Sequence, residues 1–240
     1  MPQPRRTYVI ADLHGRLDLL NMALDAILKR EPGTLITLGD YVDRGPDSRG
    51  VIERLMAGGP DGWRWINLQG NHEEITLIAC AQPEPGIVKW WIKNGGGATL
   101  ASYGQRQGER VDTGIVPRDH LEWMAYLPLT HFDNHRVYAH AGVLRDKSLA
   151  EHNMLVTKDN VLVACWMYYD GTDEGWHEED GVLRHVVHGH HKGESHPLLL
   201  PGRTNLDTGA YYTGRLVVGV FDDDKPGGPV EFIEIKGDEW

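Results

Sequence analysis

Apolar and polar positions follow two alternating periods along the first eighty residues. Tyr8 to Ala11 is a short β-branched and apolar run, and from Leu17 the residues Leu20, Leu24, Ile27 and Leu28 recur at helical spacing. The pattern predicts strand, loop, helix. It returns with Thr34 to Leu38 as a strand, Gly39 to Asp47 as a loop and Ser48 to Ala57 as a helix capped by Ser48. A third copy has Trp65 to Leu68, the turn Gly70-Asn71 and a helix through Glu73 to Ala79. Three such units in succession imply a parallel sheet flanked by helices, with functional groups at the carboxyl ends of the strands.

From Pro83 to Pro128 the pattern changes, with Trp90, Trp91, the triple glycine Gly95 to Gly97 and a helical stretch from Pro117 to Tyr126, which reads as a helical insertion over one edge of the core. The second half is richer in strand-like runs: Arg136 to His140, Val161 to Met167, Arg184 to His188, Leu198 to Leu200, Arg215 to Phe221 and Val230 to Ile235. Glycine and proline punctuation between them suggests a second, mixed or antiparallel sheet. The fold class is therefore α/β, and 1–240 reads as a single domain with 83–128 as the insertion.

Composition narrows the partners. The 240 residues are 40% hydrophobic and 25% charged, ordinary values for a globular domain. No apolar stretch has the length of a membrane span, and Met1 to Gly15 carries no secretory hydrophobic region, so a cytoplasmic location without membrane association is expected. The net charge of −11 argues against a nucleic-acid backbone as partner, because such binding depends on clustered lysine and arginine. Its acidic excess sits largely in Asp170 to Asp180 and Asp222 to Asp224, which read as solvated loops. Cys80 and Cys165 are far apart and outside any CxxC, which supports neither a disulfide framework nor a cysteine zinc site.

Five short strings begin where strand-like runs end: Asp12-Leu-His14-Gly15, Gly39-Asp40-Tyr-Val-Asp43-Arg44-Gly45, Gly70-Asn71-His72-Glu73, His140-Ala-Gly142 and His188-Gly-His190-His191. Together they offer two aspartates, one asparagine and three histidines as ligands of the kind that hard and borderline metal ions take. Asp12 and His14 alternate as they leave a strand, so both side chains can point at a shared ion. Asp40 can bridge two ions, and Asn71, His140 and His190 can complete the second. Two metals about 3.5–4 Å apart can hold a hydroxide and clamp phosphoryl oxygens.

These strings resemble the signature of the phosphoprotein phosphatase family within the calcineurin-like metallophosphoesterases: DxHG, GDxVDRG, GNHE, HAG and a late GH, here spanning residues 12 to 191. The nearest likeness is the compact bacterial and bacteriophage serine/threonine phosphatase branch. That branch also includes symmetrical diadenosine tetraphosphatases and carries a late Asn-x-Asp-Thr-Gly, matched by Asn205 to Gly209. The resemblance implies a sandwich of two mixed β-sheets flanked by α-helices. It implies that Asp12, His14 and Asp40 hold one divalent metal and Asp40, Asn71, His140 and His190 the other. Manganese is the expected metal, with iron, zinc or cobalt compatible with the same donors. It further places Arg44 as a phosphate contact and His72 as general acid, with Asp43 orienting His72.

Family members often carry a second phosphate-binding arginine after a tryptophan in the strand following HAG. Here Cys165-Trp166-Met167-Tyr168 has none, and Tyr168, Arg184 and His191 are the candidate substitutes. The expected activity is hydrolysis of phosphoserine, phosphothreonine or phosphotyrosine in proteins or peptides, or of small phosphomonoesters, by direct attack of a metal-bridging hydroxide. A dinucleotide polyphosphate hydrolase would use the same metals but needs a surface to hold a base, for which Trp90, Trp91, Trp123 and Tyr103 are candidates against a core-packing role. A silent phosphate-binding scaffold would not require the whole ligand set together with His72 and Arg44.

Overall fold

The computed structural model describes residues 5–145, 147–152, 154, 173–177, 180–193 and 196–239. Eleven strands and eight short α-helices lie among them. The three strand–helix units form as the periodicity predicts: β1 (Arg6–Ile10) and α1 (Leu17–Ile27), β2 (Thr34–Thr37) and α2 (Ser48–Met56), β3 (Arg64–Asn67) and α3 (Asn71–Ala81). β1, β2 and β3 are parallel neighbours. The helical insertion follows as α4 (Pro85–Trp91), a π-helical turn (Ile92–Gly96), α5 (Gly97–Ser102), a 3-10 turn and α6 (Arg118–Ala125).

The second sheet has the order β4 (Thr130–Phe132), β5 (Arg136–Ala139), β7 (Leu183–His188), β9 (Arg203–Asn205), β8 (Leu198–Leu200), and β6 (Trp176–His177) pairs with the start of β7. α7 (Leu149–His152) and α8 (Ala210–Thr213) are single turns. Not all of the second-half strands belong to this sheet. β10 (Arg215–Asp222) returns to the first sheet antiparallel to β1, and β11 (Glu231–Lys236) pairs with it at the edge, so the first sheet runs β11-β10-β1-β2-β3. Both sheets are mixed, and the expected run from Val161 to Met167 lies outside the described residues.

Strand alternation explains the layers. Val9 and Ala11 face the second sheet and pack with Ile36, Leu38, Tyr138, Val187 and Phe221, whereas Tyr8 and Ile10 face the helices and meet Leu20, Leu24, Ile27 and Leu55. Each fully buried aliphatic side chain here contributes roughly 1.5–3 kcal/mol. The insertion has its own core of Ile75, Ala79, Trp91, Leu100 and Val116, which docks it beside α3. Among the described residues no helix is long and apolar enough to cross a membrane. One cap differs from expectation: Asp47 caps α2 by accepting the Gly50 N–H at 2.8 Å, and Ser48 sits one position inside, fully buried.

Candidate metal and phosphate site

The five motif loops leave the carboxyl ends of β1, β2, β3, β5 and β7 on one edge of the sandwich. Backbone bonds lace them together. Leu13 and His14 donate to the Asp40 carbonyl at 2.9 and 2.7 Å, Gly15 to the Tyr41 carbonyl at 2.8 Å, and Gly189 to the His140 carbonyl at 2.8 Å. The Glu73 carboxylate takes four backbone N–H groups, with Tyr41 and Val42 on Oε1 at 2.8 and 3.3 Å and Asp40 and Gly70 on Oε2 at 2.8 and 2.9 Å. Burial pushes this carboxyl up to about 7, and the four N–H donors oppose that rise. His14, Asp40, Asp43, Arg44 and His190 have φ between 43° and 70°, and they are the non-glycine residues with positive φ among those described. Left-handed backbone at bulky residues is costly and tends to gather where function needs it.

Two ligand groups share Asp40. One is His14, Asp40 and His72; the other is Asp40, His140 and His190. His14 Nε2 lies 3.4 Å from Asp40 Oδ2, and His140 Nε2 lies 3.3 Å from Asp40 Oδ1 and 2.9 Å from Asn71 Oδ1. His190 Nδ1 is 3.2 Å from His140 Nε2. Asp12 Oδ1 accepts the His190 backbone N–H at 3.0 Å.

The proton count bears on what this set can hold. His14 Nδ1 donates to the Val42 carbonyl at 2.8 Å and His140 Nδ1 to the Leu38 carbonyl at 2.9 Å, which leaves both Nε2 lone pairs turned inward. Burial lowers His140 to about 4 and His190 to about 2, and it lowers His14 well below the ordinary histidine value, so all three are neutral. His140 Nε2 therefore faces Asn71 Oδ1 and Asp40 Oδ1 with no proton of its own to give. Burial, followed by the charges of Asp12 and Glu73, raises Asp40 well above the usual carboxylate range. An acceptor-rich, buried cluster with a strained carboxylate at its centre fits divalent cations and fits a hydrogen-bond network poorly.

Arg44 already behaves as a cation at this edge, donating from Nη1 to His14 Nε2 at 2.7 Å and from Nη2 to His72 Nε2 at 2.8 Å. His72 Nδ1 donates to Asp43 Oδ2 at 2.7 Å. The predicted ligands and the trio His72, Asp43 and Arg44 thus meet at one place. His191 adjoins them, its ring 4.7 Å from that of His190. Arg184 does not. It stands at the far end of β7, bonded to both Asp180 oxygens and the Asp133 carbonyl and stacked 5.2 Å over Phe132, so a substrate role for it is withdrawn. Tyr168 lies outside the described residues.

Several partners of the site carried no recognisable sequence signal. Glu73 was visible only as the last letter of its motif. Trp91 and Thr99, from the insertion, donate to Asp43 Oδ1 at 3.0 and 2.6 Å. Tyr211 meets His14 edge to face with ring centres 5.3 Å apart and lies under Arg44 at 5.1 Å, and its hydroxyl accepts from Lys192 at 2.7 Å. Asp207 is buried and raised well above the carboxylate range by burial and then by Asp12. Of the aromatics weighed for base stacking, Trp91 and Tyr103 are buried and Trp123 packs against the core, so three of the four are packing residues. Cys80 is half-buried, and burial pushes its thiol up to about 12, as for an inert cysteine.

A two-sheet α/β sandwich with histidine and carboxylate donors at its strand ends defines the metallophosphoesterase class. The calcineurin-like phosphoesterase model matches residues 5–219, and the chain belongs to that family. It is 25% identical over 224 residues to serine/threonine-protein phosphatase 1 of Salmonella typhimurium, covering 89% of this chain and 91% of that one. It is 28% identical over 150 residues to a symmetrical bis(5'-nucleosyl)-tetraphosphatase of Janthinobacterium, covering 60% of this chain and 46% of that enzyme's length. A Saccharomyces cerevisiae protein serine/threonine phosphatase superposes with a TM-score of 0.64 at 15% identity, covering 100% of this chain and 82% of that one, which speaks to the fold.

Proposed function

We propose that the protein is a cytoplasmic, dinuclear metal-dependent phosphomonoesterase acting on phosphoserine or phosphothreonine in proteins or peptides, with manganese as the working metal. The observation that carries this reading is the sharing of Asp40 by two groups of donors, His14–Asp40–His72 and Asp40–His140–His190, with Arg44 on His14 and His72 and with Asp43 on His72. Asp12, His14 and Asp40 would hold one ion, and Asp40, Asn71, His140 and His190 the other. Bound there, divalent ions supply Lewis-acid charge neutralisation and make water acidic enough to attack phosphorus.

The chain's own residues do the rest. Arg44 offers a planar fork that matches two phosphoryl oxygens, and its two amino groups already lie on His14 and His72 at the site. Lys192 on the Tyr211 hydroxyl adds positive charge at the rim. Asp43 holds the proton on His72 Nδ1, and once the Arg44 fork turns from Nε2 to the phosphoryl oxygens, a protonated His72 can give a proton from Nε2 to the leaving oxygen. The acidic surface does not oppose anion binding, since two divalent cations and Arg44 dominate locally.

The test is hydrolysis of p-nitrophenyl phosphate by chelator-stripped protein restored with manganese, alongside His72→Asn and Asp40→Asn. Turnover that needs the metal and is lost in both variants supports the reading, and no turnover of any monoester sinks it. Similarity to named tetraphosphatases favours a second reading, dinucleotide polyphosphate hydrolysis. A phosphopeptide and diadenosine tetraphosphate compared at equal enzyme separate the two by kcat/KM.

A further inference from the structure

We propose that Thr99 and Trp91, both from the helical insertion, are positioning residues that fix the direction of the Asp43 carboxylate and, through it, the proton-delivering nitrogen of His72. The inference rests on the hydrolytic reading above and goes beyond it in giving the insertion a part in the chemistry. Asp43 is fully buried. Its Oδ2 accepts from His72 at 2.7 Å, while its Oδ1 accepts from the Thr99 hydroxyl at 2.6 Å and the Trp91 indole at 3.0 Å. The Asp43 backbone N–H donates to Thr99 Oγ1 at 2.8 Å and Ser48 Oγ at 3.0 Å.

Proton accounting orders the cluster. The single Thr99 hydroxyl proton goes to Asp43, so at the 3.1 Å contact between the two hydroxyls Ser48 must be the donor. The chain of donors runs Ser48 to Thr99 to Asp43, with Trp91 on the same oxygen. Two donors on Oδ1 stop the carboxylate turning about its own axis, which keeps Oδ2 on the His72 Nδ1–H. The imidazole is thereby held with Nε2 toward Arg44 and 3.9 Å from Asp40 Oδ2. The insertion also grips the next residue, since the Arg44 N–H donates to the Gly95 carbonyl at 3.2 Å. Asp43 and Arg44 have φ of 70° and 69°, so without these contacts the loop has every reason to relax.

In the step concerned, water attacks phosphorus and the bond from phosphorus to the leaving oxygen breaks with its electron pair on that oxygen. The oxygen takes the proton from Nε2 of the His72 imidazolium, leaving a neutral imidazole whose Nδ1–H remains on Asp43. A poor leaving group needs this proton and a good one hardly does.

Manganese-loaded wild type, Thr99→Val, Thr99→Ser and Trp91→Phe are compared on phenyl phosphate and p-nitrophenyl phosphate. Thr99→Val is expected to lower kcat for phenyl phosphate about 10-fold more than for p-nitrophenyl phosphate with KM little changed, a fraction of the roughly 10²–10⁴ that a general acid supplies. Trp91→Phe shifts the same ratio in the same direction, and Thr99→Ser restores it. An equal loss on both substrates, or a change confined to KM, overturns the inference. The low-field proton resonance of His72 Nδ1 gives a readout free of turnover: it must move in Thr99→Val and return in Thr99→Ser. Should wild-type protein hydrolyse neither ester, the functional reading falls by itself, and the resonance then decides the positioning claim, which an unmoved signal refutes. If Thr99→Val does not fold, Trp91→Phe and Thr99→Ser carry the same comparison.

Discussion

Gly95→Ala is the change whose cost can be worked most directly. Gly95 has φ of 113°, outside even the left-handed helical region, and an L side chain there costs about 1–3 kcal/mol. A Cβ added at Gly95 would also lie 2.7 Å from both the backbone N and the Cγ of Arg44. The Cγ can swing away. The backbone N cannot without losing its 3.2 Å bond to the Gly95 carbonyl, worth about 0.5–1.5 kcal/mol. Together these give a loss of about 2–4 kcal/mol, which for a domain of this size is a fall in Tm of roughly 4–15 °C. Because Arg44 is what moves, catalysis suffers as well. A displacement near 1 Å can cost about 100-fold, so kcat/KM for p-nitrophenyl phosphate is expected to drop about 10–100-fold. Gly97→Ala is the matched control, since Gly97 has φ of −60° and no atom within 4 Å of an added Cβ. Thermal melts and steady-state kinetics on both variants suffice. If Gly95→Ala melts and turns over like Gly97→Ala, the claim that this turn holds Arg44 in place is wrong.

Glu73→Gln leaves two of the four N–H donors facing an NH₂ group, which loosens the Asp40 loop; manganese affinity by calorimetry is expected to fall about 10–100-fold, and an unchanged affinity refutes this. His185, bonded to Thr204 at 2.8 Å and away from the ligands, is lowered by burial to about 4. Below pH 6.5 the unfolded chain takes up this proton and the folded one does not, so the stability due to His185 is complete above about 6.5 and is lost as pH falls toward 4, by about 2 kcal/mol at pH 5. Wild type should accordingly lose about that much more urea stability than His185→Gln between pH 7.5 and 5.0, and parallel losses would contradict the shift. Lys192→Met should raise KM for p-nitrophenyl phosphate about 5-fold, the equivalent of about 1 kcal/mol, with kcat little changed, and a constant KM removes Lys192 from the rim.

What the sequence made legible is what local chemistry encodes. β1, β2 and β3 with their helices stand out by period, and the motif loops follow because turn residues and metal-type donors coincide at strand ends. The short strands β4, β6 and β9 carry too few residues to show a period, and the return of β10 and β11 to the first sheet is a choice of long-range pairing that alternation cannot reveal. Ser48 looked like a cap because serine favours that position, but its hydroxyl is committed to Asp43 and Asp47 takes the cap instead. Arg184 was plausible by residue type and wrong by address, being at the opposite end of its strand. Trp91, Thr99 and Tyr211 belong to the site through contacts with residues far away in the chain, and Lys192 joins through Tyr211, so residue type alone carries no message.

The strain and the donor chemistry of the site have one explanation. Five of the described non-glycine residues stand at positive φ, each expensive by about 1–3 kcal/mol, and the buried His140 turns its Nε2 lone pair onto the Asn71 and Asp40 oxygens. A sequence selected only for stability would relax the loops or replace the acceptors. Here the opposite is built in: Glu73 ties down the Asp40 loop, the Val42 and Leu38 carbonyls lock the tautomers of His14 and His140, and the insertion clamps Asp43 and Arg44. Each restraint keeps a lone pair or a charge pointed at one small volume. The geometry is organised in advance, at the expense of the folded chain's own stability, which is what a site that binds cations and a phosphoryl group in fixed positions requires. The same logic accounts for the insertion's place in the fold, because the strand ends supply the donors but only a second layer packed behind the Asp43 loop can hold that loop in a conformation it would otherwise abandon.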